Sequence, residues 1–153
     1  MIIPDDIKVA ADRIMSVILV QYRPPMTRFA KSIYFLPAAA HYGFIFFLSS
    51  QSSFPVEAPF DNFDKLVHLG LFMVLSFLLS FGIFKSTRLP LGKKIVLILA
   101  AGAALGALDE VHQSFVPFRE PDVLDAAVDA VGIALGLLVY GLISRALSAR
   151  PRD

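Results

Sequence analysis

Apolar residues run almost unbroken through four stretches of this chain: Ser32 to Ser50, Leu66 to Phe84, Ile95 into an acidic group at Asp109, and Asp125 to Ser144. Within them hydrophobic side chains fall all round a helical wheel, so periodicity distinguishes no face. Length and flanks carry the assignment instead, because crossing a bilayer as a helix takes roughly 17 to 25 apolar residues. The short alternating runs of an outer-membrane barrel are not seen. The pattern predicts an all-α fold, an integral membrane four-helix bundle. Pro37 falls in the first turns of span one, where proline is tolerated or bends the helix.

Residues 1–31 follow another rule. Ile7, Ala11, Ile14 and Ile18 recur at helical spacing behind Asp5 and Asp6, with Lys8, Asp12 and Arg13 elsewhere on the wheel, until Pro24 and Pro25 stop the pattern. This predicts an amphipathic helix lying on the membrane surface. A secretory signal is not expected, since the start is acidic, the apolar run is short and no small-residue cleavage site follows. The expected organisation is an interfacial segment over 1–31, a four-span domain over 32–144 and a basic tail over 145–153.

Composition agrees. A mean hydropathy of +0.68, with 56% hydrophobic and 18% charged residues, describes a membrane protein whose partner is the lipid bilayer, not nucleic acid. There are no cysteines, so disulfide and thiolate chemistry are excluded. Net charge becomes informative once divided by side. Residues 1–31, the loop between spans two and three, and the tail together hold twelve of the 14 lysines and arginines. Only Lys65 and Arg119 fall on the opposite side, which predicts cytoplasmic termini in a bacterial inner membrane. Nine of the 13 acids lie on that opposite, outer side.

Polar residues there sit where a membrane protein carries them least easily, the default mark of a functional site. Asp64, Lys65 and His68 open span two; Asp109, Glu110, His112 and Gln113 close span three; Arg119, Asp122, Asp125 and Asp129 lead into span four. The purely apolar part of span three, Ile95 to Leu108, covers about 21 Å at 1.5 Å per residue, against a hydrocarbon core of roughly 30 Å. The acidic ends are therefore expected to dip into the outer leaflet as a polar bowl, with Phe115-Val116-Pro117-Phe118 folding back as a re-entrant cap. Asp64 with His68, Asp109 with His112 or Gln113, and Asp125 with Asp129 are spaced to share helix faces. Gly102-xxx-Gly106 and Gly132-xxx-Gly136 are stripes expected to bring spans three and four together.

Asp64-Lys65-x-x-His68, Asp109-Glu110-x-x-Gln113, Pro117-x-Arg119, and Asp125 with Gly132 beyond it, together with Leu48-Ser49-Ser50-Gln51, resemble the VanZ-like family over roughly residues 36 to 140. Two positions depart from the family's usual pattern: Asp129 stands where it has Asn, and Phe118 where it has Gly between Pro and Arg. The resemblance implies a bacterial inner-membrane protein of the cell envelope. The family is named for an accessory protein of glycopeptide-resistance clusters, linked to the lipid-bearing glycopeptide teicoplanin, and it implies no established reaction.

Three readings of the site fit these residues. The cluster is an ion-paired plug, pairing Arg119 with Asp122 or Asp125 and Lys65 with Asp64 or Asp61. Or it binds an envelope amphiphile (a lipid, a lipid-linked precursor or a lipoglycopeptide) through Asp64, Lys65, His68, Asp109, Glu110, Gln113, Arg119, Asp125 and Asp129, with Lys65 and Arg119 meeting an anionic headgroup. Or a divalent cation on His68, Asp109, His112 and Asp125 assists a hydrolase or transferase acting on a lipid-linked phosphate. No cofactor other than such a cation is expected. Ion or proton transport has little room in four spans. Carboxylate clusters lacking basic partners would favour a cation over a plug. His41, alone within span one, reads as a hydrogen-bonded packing residue.

The charge partition generates a direct test. In this cysteine-free chain, Ser53→Cys and Glu120→Cys are expected to react with an impermeant thiol reagent on intact cells, and Ser86→Cys and Ser148→Cys are not. The reverse labelling pattern would turn the protein over in the membrane.

Overall fold

The structure is a computed structural model that describes Lys8, residues 31–52, Phe60, residues 62–119 and residues 122–149. The expected interfacial helix lies outside the described residues except at Lys8 and Lys31, as do Glu57, Asp61, Glu120, Arg150 and Arg152. A turn of 3-10 helix, Ile33–Phe35, leads into α1, Leu36–Ser49. Three longer helices follow: α2, Phe63–Ser86; α3, Leu91–Gln113; and α4, Val123–Ser148.

The boundaries have local causes. Pro37 occupies the first turn of α1, where a missing N–H breaks no helical bond. Asn62 begins α2 from the left-handed region at φ 61°, a conformation that asparagine tolerates better than most residues. Extended backbone at Pro90 precedes α3. Asp122 caps α4, its side chain accepting the Leu124 N–H.

Helices α2, α3 and α4, of 24, 23 and 26 residues, are long and apolar enough to cross a membrane. At 1.5 Å per residue they extend about 36, 34 and 39 Å. The first stretch is a shorter apolar helix, Ile33–Ser49 including its 3-10 turn. Three of the four expected spans are therefore long candidate spans, and the α1 part of the first reaches only about 21 Å. Val96, Leu108 and Leu138 are among many large apolar side chains left exposed on the bundle's outside. Water would penalise such a surface, whereas lipid solvates it.

The chain runs up and down, so the end of α1, the start of α2, the end of α3 and the start of α4 meet. The interior is built on α2, whose Phe72 and Leu75 are wholly buried and cluster with Ala38, Ile45, Leu79 and Ile133. His41 donates from Nε2 to the Leu71 carbonyl at 2.9 Å, and Tyr42 donates to the Leu105 carbonyl at 3.1 Å. Both tie α1 to its neighbours through backbone acceptors.

The glycine stripes divide their work differently from the expectation. Gly132 and Gly136 face α2: a Cβ at Gly132 would lie 2.6 Å from the Leu69 carbonyl oxygen, and one at Gly136 would overlap that of Met73. The close backbone approach is therefore between spans two and four. Span three meets span four through side chains, with Ile133 filling the notch at Gly102 and Asp129 lying against Gly106. Ser76 locks the first pair by donating to the Ile133 carbonyl at 2.7 Å.

This packing separates glycines on a single helix. Gly132→Ala and Gly136→Ala are expected to destabilise the bundle by about 1–3 kcal/mol, the usual range for forced overpacking. Gly141→Ala meets nothing within 4 Å and is expected to be neutral or to stabilise by up to about 1 kcal/mol through helix propensity. Thermal unfolding in detergent measures the difference; equal tolerance at the three positions would refute close α2–α4 contact.

Candidate functional site

The polar residues converge where the four helix ends meet. Asp109, His68 and Asp129 lie four to six residues inside their helix ends, about 6–9 Å along the axis. Each helix contributes: Ser49 and Ser50 from the end of α1, Lys65 and His68 from α2, Asp109 to Gln113 from α3, Asp125 and Asp129 from α4.

One half of the site is a clamp. Lys65 Nζ donates to Asp122 Oδ2 at 2.6 Å and to Asp125 Oδ1 at 2.8 Å, with Asp64 Oδ2 at 3.7 Å. Asp122 uses its other oxygen to cap α4, so a single carboxylate starts that helix and holds the lysine of α2. Asp125 is buried, whereas Asp64 remains partly exposed beside Lys65. The Asp122 backbone N–H donates to Glu110 Oε2 at 3.2 Å, bringing in α3.

The other half is buried more deeply and paired less completely. Ser49 and Gln113 donate to the same oxygen of Asp109, Oδ2, at 2.9 and 2.8 Å. His68 Nδ1 donates to Asp129 Oδ1 at 3.2 Å, and its ring stacks parallel to Phe72. Among the described residues, three buried carboxylate oxygens are left without a hydrogen-bond partner: Asp109 Oδ1, Glu110 Oε1 and Asp129 Oδ2. Asp109 and Asp129 are 1% and 2% exposed. Buried acceptors are normally satisfied, and leaving a charged one unpaired costs several kcal/mol.

The spacing of Asp109 and Gln113 is realised as a direct hydrogen bond. His112 turns instead toward α1, with its Nε2 2.9 Å from Ser50 Oγ and its ring stacked on Phe46 at 4.0 Å. Because the Ser50 hydroxyl already donates to the Phe46 carbonyl, Nε2 carries the proton in that contact. Lys65 takes Asp122 and Asp125 rather than Asp64 alone. Arg119 donates from Nε to the Gln51 carbonyl at 3.2 Å. Ser49, Ser50 and the Gln51 carbonyl thus form the α1 side of the site; the Leu48-Ser49-Ser50-Gln51 stretch was their sequence signal, although composition assigned them no role.

The bowl and its cap take another form. The cavity lined by Leu48, Ser49, Val67, His68, Leu71 and Arg119 has a volume of about 10 Å³, room for about one water. Phe115 and Phe118 are 80% and 95% exposed, pointing away from the cluster rather than closing over it. Phe118 has φ 65°, in the left-handed region that favours glycine. Pro117 fixes the approach to this turn and Arg119 leaves it, so the backbone presents Phe118 outward beside the polar end.

Family membership follows the same residues. The VanZ/LLP1 family pattern matches residues 7–144. The chain belongs to the VanZ/LLP1 family. This VanZ/LLP1 match begins upstream of the roughly 36-to-140 resemblance and takes in most of the first 35 residues. No curated protein and no solved structure matches the chain.

The clamp has a pH signature outside the spans. Lys65's hydrogen bond, and then the Leu124 N–H, hold the Asp122 carboxyl below its ordinary pKa. A lowered folded-state pKa contributes stability above the unfolded pKa and loses it as pH falls through the folded value. The difference in melting temperature between wild type and Asp122→Asn is therefore expected to be steady near neutrality and to shrink below about pH 4. A difference unchanged at pH 3 would show that the Asp122 charge contributes nothing to the clamp.

Proposed function

We propose that this VanZ/LLP1 family member is a four-span bacterial inner-membrane protein with cytoplasmic termini, whose extracytoplasmic polar end binds the headgroup of an envelope amphiphile. Lipids, lipid-linked precursors and lipoglycopeptides all combine an apolar body with a polar head. Phe118 carries the reading. A non-glycine residue in left-handed backbone costs about 1–2 kcal/mol, yet the chain holds a phenylalanine there with its ring almost fully exposed. Strain of this kind points to use, and here it offers an aromatic ring to the interface where amphiphile chains meet their headgroups.

The small cavity shapes the proposal. A headgroup lies across the polar end, against Arg119 and the partly exposed Asp64, Lys65 and Asp122, and does not sink into a pocket. Arg119 is anchored to Gln51 and adjoins Phe118 in the turn, which suits it to a phosphate or carboxylate on the ligand. Lys65, already held by two carboxylates, supports a second role for this end as a structural clamp between α2 and α4. Lys65 and Asp122 belong to both clamp and binding edge, whereas Phe118 and Arg119 belong to the edge and lie outside the Lys65 clamp.

Phe118 and Arg119 separate them. Phe118→Gly is expected to stabilise the protein by up to about 1 kcal/mol by removing left-handed strain while weakening retention of polyprenyl phosphate in native mass spectrometry. Arg119→Gln is expected to weaken that retention with little loss of stability. If polyprenyl phosphate, membrane phospholipid and lipoglycopeptide all associate equally with wild type and both variants, the binding reading is wrong and the polar end is a clamp alone.

A further inference from the structure

The less completely paired half of the site has the composition and placement of a cation site. One donor atom from each of His68, Glu110 and Asp129 lies within 4.8 Å of the others. A tetrahedral cation with bonds of about 2.1 Å brings its ligand atoms about 3.4 Å apart, so modest side-chain rotations close the set. Asp129 Oδ2, on a residue 2% exposed, has no hydrogen-bond partner and lies against α3 at Gly106, one helical turn before Glu110. Glu110 Oε1 and Asp109 Oδ1 are likewise buried without partners.

Charge points the same way. Six carboxylates, Asp64, Asp109, Glu110, Asp122, Asp125 and Asp129, share this end with Lys65 and Arg119. Lys65 is committed to Asp122 and Asp125. Glu110 also stands in the last turn of α3, where the helix dipole is negative and a cation, not a carboxylate, is favoured. His68 Nδ1, 3.2 Å from Asp129 Oδ1, is the ring nitrogen on the Asp129 side, and a cation shared by the two residues would take the place of the proton between them, leaving the neutral ring protonated at Nε2.

We propose that His68, Glu110 and Asp129 bind one borderline divalent cation of the zinc or manganese class, with Asp109 beside them as an additional acceptor. One imidazole with carboxylates and no thiolate selects this class over soft metals, and the imidazole disfavours magnesium and calcium. The donor set differs from the four residues that sequence alone suggested: Glu110 and Asp129 enter it, while His112 is engaged by Ser50 and Phe46. The proposal does not rest on amphiphile binding, since every donor lies within the bundle.

Untagged full-length protein purified in detergent tests it without added lipid. After loading with Zn²⁺ or Mn²⁺ and removal of excess, elemental analysis is expected to find about one metal per chain, and a chelator to lower the melting temperature. Glu110→Gln and His68→Ala are expected to weaken binding by roughly tenfold or more, whereas His112→Ala and Asp64→Asn retain it. Glu110 is only partly buried, so its variant keeps the measurement valid if His68→Ala fails to fold. Folded wild type that takes up neither ion and whose melting temperature ignores ion and chelator overturns the proposal. So does Glu110→Gln binding as tightly as wild type, which would put the metal elsewhere.

Discussion

A carboxylate taken between helices loses its water and must find a compensating partner, and the arrangement of this bundle follows from how that is done. Asp125 is compensated by Lys65 across the α2–α4 contact, and Asp129 by His68 a turn further along the same contact. Beyond them Gly132 and Gly136 admit the α2 backbone at Leu69 and Met73. The sequence of contacts is continuous: close approach at the glycines sets the separation of two parallel helices, and that separation lets short aspartates on α4 reach Lys65 and His68. A larger residue at Gly136 would push apart the ladder that neutralises the charges above it. Packing and electrostatics at this end are one constraint.

Helix α3 enters differently. Its polar residues meet α1 through Ser49 and Ser50 and meet α4 through Glu110, while Ile133 in the Gly102 notch sets the spacing. Hydroxyl and amide donors suit Asp109 because they satisfy one oxygen without adding positive charge. They also leave the other oxygen unmet. The site is thus polarised, with one half in which Lys65 bridges Asp122 and Asp125 and another at Asp109, Glu110 and Asp129 that carries the unmet oxygens.

Much of this was legible in the sequence. Long apolar runs gave the three long helices, because their length has little other explanation, and the placement of Asp64, Lys65, His68, Asp109, Asp125 and Asp129 at run ends gave the convergence. Spacing also gave the Asp109–Gln113 bond, which lies within one helix and needs no partner to be known. What spacing could not give was the partner of each face. Gly132-xxx-Gly136 reads the same whether it faces α2 or α3, and His112 fits a metal site as well as a serine until the position of α1 is known. The cap differs for a related reason: Phe115 and Phe118 are apolar enough to fold inward, yet both rings are exposed, with Phe118 on left-handed backbone.

The two departures from the family's pattern now take on physical meaning. Glycine at position 118 would adopt φ 65° without strain, so phenylalanine there is unfavourable for folding and adds an exposed aromatic ring at this turn. Asparagine at position 129 could accept the His68 N–H through its carbonyl and use its amide to donate toward a carboxylate nearby, relieving at least one unmet oxygen. Asp129 still accepts from His68 but removes that donor and adds a negative charge, leaving Asp109, Glu110 and Asp129 each with an unsatisfied oxygen. A purely structural plug would favour the amide. Aspartate becomes the better residue only where something positive compensates the added charge: a protonated His68 does so through the contact already present, and a bound cation would do so in place of that proton.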